Sequence, residues 1–151
     1  MKQFFGKIML GFALAALLST TSTIAAAAGV VPFKGRANGE ITAVLPGPTG
    51  VAMTAVAEGN ATHLGNFTRE EHLLLNPDTG AFTGDVVFTA ADGSQLTAAI
   101  TGSFTSATTA LGTYIFTGGT GRFDGTTGSA SFSAAMTDPI HFTVEFDGIF
   151  D

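Results

Sequence analysis

The 151-residue chain has no cysteine. Disulfides, thiolate metal sites and thiol nucleophiles are therefore excluded, as is lipid attachment at an N-terminal cysteine. Tryptophan is absent and Tyr114 is the only tyrosine. Charge is scarce, with six Lys and Arg against twelve Asp and Glu. Such a balance cannot supply the basic stripe that nucleic acid requires, nor a positive surface for docking on anionic lipid. No stretch after Ala28 is long and apolar enough to span a membrane as a helix. No amphipathic helix of useful length is legible. Serines are plentiful, but no Gly-x-Ser-x-Gly elbow surrounds one.

What is present begins with a leader. Lys2 and Lys7 precede an apolar run from Ile8 to about Leu18, and a small-residue run, Ala25 to Ala28, follows. That order of charge, apolar core and small residues predicts a secretory signal peptide over residues 1–28, with Ala26 or Ala28 as its last residue. Residues 29–151 then form one domain, secreted or periplasmic, with four basic residues against twelve acids and a formal charge of -8. It is rich in Gly, Ala, Thr and Phe, a composition that argues against disorder.

From Phe33 onward the chain alternates as strands do. Phe33, Gly35, Ala37, Gly39 and Ile41 share one parity, and Met53, Ala55, Ala57, Gly59 and Ala61 share another small apolar one. Phe82, Val86, Phe88 and Ala90, then Leu96, Ala98 and Ile100, then Tyr114 and Phe116, then Phe132 and Ala134, and finally Phe142, Val144 and Phe146 continue the pattern. Turn residues punctuate it at Leu45–Gly50, Asn76–Gly80, Ala91–Ser94 and Met136–Pro139. About eight antiparallel strands at even spacing, joined in sequence, predict an all-β fold, a single closed barrel rather than an open sheet.

The segment Gly118-Gly-Thr-Gly-Arg-Phe-Asp-Gly-Thr-Thr-Gly128 joins two of these strands. Its glycines suit positive φ, and Phe123 is expected to plug the core. No Lys-Ser/Thr follows, so it is not a phosphate loop. Gly119-Thr-Gly121-Arg-Phe123 with Gly125-Thr-Thr-Gly128 resembles the glycine-rich hairpin of the allene oxide cyclase-like and dirigent-like β-barrel family, and Ala61–Gly65 and Ala90–Gly93 resemble further segments of its secreted bacterial members. The resemblance covers most of residues 33–150. It implies a barrel that shapes and shields a reactive or apolar small molecule, as a cofactor-free isomerase or cyclase if an enzyme at all. It carries no functional residue over to this chain.

The third strand, Phe67 to Leu75, is the most informative. Arg69 and Glu71 share a face with Phe67, Leu73 and Leu75, while Thr68, Glu70, His72 and Leu74 share the other. Turned inward, Arg69 and Glu71 form a charged pair in the lumen, which requires pairing and marks a site. Turned outward, they are an ordinary solvated pair. Tyr114 is expected to be buried with its hydroxyl bonded. The candidate ligand-binding residues are thus Arg69, Glu71, Tyr114, Phe88 and Phe116, and the weak catalytic candidates are Glu71 as base and Tyr114 as donor. His63, His72 and His141 lack the spacing of a metal motif, so neither metal nor cofactor is expected. Three functions stay open: a binding protein for an apolar small molecule, a cyclase-like enzyme, and a structural protein with a packed lumen. Val56, Val87 and Ile115 lie on outward parities and would serve a homo-oligomer if they form a patch.

Overall fold

The structure is a computed structural model describing residues 29–151. The leader lies outside the described residues. Eight strands alternate small or aromatic inward side chains with outward Thr, Ser and acids: β1 (Val31–Gly47), β2 (Gly50–Ala61), β3 (Gly65–Leu75), β4 (Ala81–Ala90), β5 (Gln95–Phe104), β6 (Thr109–Gly119), β7 (Gly128–Met136) and β8 (His141–Phe150). Each pairs antiparallel with its neighbours in sequence, and β1 also pairs with β8, closing the barrel. The expected all-β closed barrel is the observed one. Several boundaries differ from the sequence reading, since Gly50, Gly118, Gly119, Gly128 and Met136 all lie in strands, and two of the differences are larger. β1 runs past Val44 to Gly47, so Leu45 to Gly47 are strand paired with β2 rather than turn. The polar Ser103–Ala110 region holds only a four-residue loop, because Ser103, Phe104, Thr109 and Ala110 stay in the β5–β6 ladder.

The sheet curls tightly because bulky rings lie over glycines on the adjacent strand. Phe146 faces Gly35 and Phe142 faces Gly39 across the β1–β8 seam; Phe82 faces Gly102, and Phe132 faces Gly112. A Cβ built on Gly39 would sit 2.6 Å from the Phe142 ring, and one on Gly102 would sit 2.6 Å from that of Phe82. Ring over glycine thus fills the lumen without crowding either strand.

The two barrel ends differ. At one end β2–β3, β4–β5 and β6–β7 turn, and the long β6–β7 connection carries a short 3₁₀ turn, Gly121–Phe123. Gly121 and Gly125 take the positive φ values of 58° and 72° there. Phe123 is buried and plugs this end, in line with the sequence reading. Arg122 stacks over it at 4.9 Å, and donates from Nε to Asp92 Oδ2 at 2.7 Å and from Nη1 to the His63 carbonyl at 2.6 Å. One side chain therefore fastens three turns. Above the plug, Phe33, Phe67, Phe88, Phe116, Phe146 and Phe150 fill the lumen in edge and stacked contacts of 4.7–6.2 Å. The other end, bounded by the β1–β2, β3–β4, β5–β6 and β7–β8 turns, has no such plug among the described residues.

Candidate functional site

The choice that sequence left open at β3 is resolved by pairing. Phe67, Arg69 and Glu71 face inward and are buried, with Leu73 and Leu75 half-buried above them; Thr68, Glu70, His72 and Leu74 face solvent. Register sets Arg69 opposite Ala57 and Phe88, and Glu71 opposite Ala55 and Val86. The alanines of β2 leave room for the long charged side chains.

Three polar groups meet in mid-lumen. Arg69 Nη2 donates to Glu71 Oε2, and Arg69 Nη1 donates to the Tyr114 hydroxyl oxygen at 2.7 Å. The guanidinium carbon lies 5.6 Å from the Phe88 ring centre and 5.5 Å from that of Tyr114. Tyr114 stacks on Phe132 at 4.7 Å and is fully buried. Burial pushes the Tyr114 phenol up to about 12, against the opposing pull of Arg69, so it holds its proton at neutral pH. Burial works against the Arg69 charge too, but the Tyr114 oxygen and Glu71 carboxylate outweigh it and hold the guanidinium above its ordinary range. One nitrogen of the guanidinium has no partner: Arg69 Nε is buried with no acceptor. Buried polar groups are nearly always paired.

Above this trio, toward the unplugged end, lies an apolar cavity of about 60 Å³. Arg69 and Glu71 line it, with Met53, Leu73, Phe82, Phe132, Met136 and Phe142 among the surrounding side chains. The arrangement is a hydrophobic funnel with an ion pair in its wall. It offers Arg69 donors to an oxygen and the Glu71 carboxylate as proton acceptor, set among apolar side chains.

Comparison with protein-family models and with curated proteins found no match. Among solved structures, a pterocarpan synthase dirigent protein superposes with a TM-score of 0.52 over 81% of this chain and 86% of its own, at 12% sequence identity. The chain has the dirigent barrel fold. At that identity the likeness concerns fold alone, and it agrees with the resemblance carried by the glycine-rich hairpin. Whatever this dirigent-like barrel does must be read from its own residues.

Of the residues singled out from sequence, Arg69, Glu71 and Tyr114 come together, and Phe88 underlies them. Phe116 does not join: it packs at 5.1 Å on both Phe33 and Phe150 in the plugged half of the dirigent-like barrel. Of these five only Arg69 and Glu71 line the cavity; Phe88, Phe116 and Tyr114 do not. The lining that sequence reasoning did not name, Phe82, Phe132, Phe142, Met53 and Met136, lies on inward parities throughout; periodicity carries no signal for which end of each strand stays open. The histidines stand apart. His63 sits in the β2–β3 turn at φ 66°. His72 lies outside between Glu70 and Asp85, and His141 Nδ1 lies 2.7 Å from Asp138 Oδ2. Among the described residues no three His, Asp or Glu side chains are gathered as metal ligands, and no helix is long and apolar enough to cross a membrane.

Proposed function

We propose that this chain is exported to a secreted or periplasmic location and binds a small apolar molecule at the unplugged end of its barrel. The observation that carries this reading is the Arg69–Glu71–Tyr114 trio in a lumen whose other large side chains are Phe, Leu, Ile, Val and Met. A buried ion pair is weak support for stability, since apolar residues of similar volume generally do as well. A pair placed beside an apolar cavity is instead what a binding site needs: a hydrophobic body for affinity and a few polar groups for orientation. The cavity of about 60 Å³ holds roughly two waters' share of liquid volume, and ligand pockets run to roughly 300–1,000 Å³. A guest therefore inserts its tip and displaces Met53 and Met136, whose unbranched side chains repack at low cost.

Native mass spectrometry of the mature domain purified from its own host tests this. A stoichiometric apolar adduct supports binding. A bare protein whose mass also stays unchanged across lipid and phenolic screens assigns the barrel to the structural role, which the Phe-filled half independently favours.

A second reading rests on Glu71, a carboxylate lining the cavity beside Arg69, with the protonated Tyr114 phenol bonded to Arg69 behind it. That is the equipment of a cofactor-free isomerase or cyclase. Conversion of a bound adduct that is lost in Glu71→Gln, with binding retained, distinguishes catalysis from carriage.

A further inference from the structure

Arg69 determines what chemistry the cavity accepts. Its charge is already balanced by Glu71, and two of its nitrogens are committed, Nη1 to Tyr114 and Nη2 to Glu71. Nε is the one guanidinium nitrogen with no acceptor at all, although it is buried, while Nη1 and Nη2 each keep a second hydrogen beyond the bond they make. Tyr114 keeps its proton, so the trio as a whole is neutral. A carboxylate or phosphate entering here would meet the Glu71 carboxylate in a low-dielectric setting with no free positive charge to offset it. A pure hydrocarbon would leave the Nε donor unmade.

We infer, resting on the binding reading above, that the ligand is a neutral apolar molecule bearing one acceptor oxygen, a ketone, ester or alcohol, which takes the hydrogen bond that Arg69 Nε leaves unmade. Fatty-acid anions and other apolar anions are rejected by the same site. Its volume fits the tip of such a molecule, and the Met53, Leu73, Phe104 and Met136 rim takes the rest. This selectivity arises because an ion pair, rather than a lone arginine, faces the cavity.

The protein carries its own probe. Tyr114 is the only tyrosine and there is no tryptophan, so intrinsic fluorescence reports on the trio alone. The mature chain is titrated with methyl heptyl ketone, with nonanoate and with nonene, three guests of similar apolar length. The ketone is expected to bind at least about tenfold more tightly than nonanoate and measurably more tightly than nonene. In Glu71→Gln the like charge is gone, and the disadvantage of nonanoate should shrink at least about tenfold. Should Glu71→Gln fail to fold, as judged by circular dichroism, the wild-type comparison still decides. Nonanoate binding as well as the ketone overturns the inference while leaving the binding reading intact. Nonene matching the ketone removes the role of Nε. No response to any of the three, confirmed by an unchanged native mass, overturns both.

Discussion

Arg69, Glu71 and Tyr114 are three polar residues in positions that apolar ones would fill at less cost to folding. Glu71→Ala leaves the Arg69 charge buried without its partner and should lower stability by about 3–5 kcal/mol. The double variant Arg69→Met with Glu71→Leu should recover most of that loss while abolishing selectivity for an oxygenated guest, measured by urea unfolding and by the same titration. If the double variant is as unstable as the single one, the pair is structural. Tyr114 makes a pH prediction of definite sign. Its folded pKa is raised to about 12 from the ordinary 10.0. Between those values the unfolded chain loses a proton that the folded chain keeps, so stability is fully present below pH 10 and falls as pH rises toward 12. The loss should be about 2–3 kcal/mol, absent in Tyr114→Phe, and ultraviolet titration of the single tyrosine should place its folded midpoint near the upper value.

At the scale of elements, the barrel depends on ring-over-glycine pairs between strands and on a clasp between turns. Gly102→Ala sets a Cβ 2.6 Å from both the Leu111 carbonyl and the Phe82 ring. It should cost about 1–3 kcal/mol by overpacking, seen as a lower denaturant midpoint with unchanged slope. The clasp is different in kind. Arg122 and Asp92 are half-exposed, so Arg122→Ala should leave global stability nearly unchanged while speeding amide exchange across Gly118–Thr127 and the two turns it fastens. The Arg122 hydrogen bond, with the Ser94 amide, holds the Asp92 carboxyl down to about 2 from the ordinary 3.8. The clasp's contribution is therefore present above that ordinary value and is lost as pH falls toward 2, and the exchange rates of those turns should rise in that window.

The whole molecule is a chain of local hairpins with one distant seam. Seven of its eight strand pairings join neighbours in sequence, and only β1 with β8 joins the ends. Hairpins close short loops cheaply, whereas the seam must wait for the full chain. Val86→Ala, in β4 at the centre of the meander, should therefore slow folding, while Val144→Ala, in β8, should mainly speed unfolding. Stopped-flow chevrons measure both. The same topology gives the barrel its polarity. The long β6–β7 connection can cover only the end at which it emerges, so the opposite end keeps its cavity.

Alternation and turn residues alone determine the strand number, the sequential order and the inward faces of β1, β2, β4 and β8, because each of those strands has one face of small or aromatic residues and one of Thr, Lys or acids. The core role of Phe123 is legible in sequence for a related reason, as the one large apolar side chain in a polar, glycine-rich segment. β3 is not, since both of its faces mix charge with leucine, and a period of two cannot choose between equals. Closure chooses: Arg69 meets Tyr114, 45 residues away, only because β3 and β6 face each other across the lumen. Which rings fill the plugged half and which line the cavity is likewise beyond sequence, since Phe88, Phe116 and Phe142 share one inward pattern and differ only in height along the barrel axis. Periodicity reports the face on which a side chain lies; height and partner across the lumen exist only once the sheet has closed.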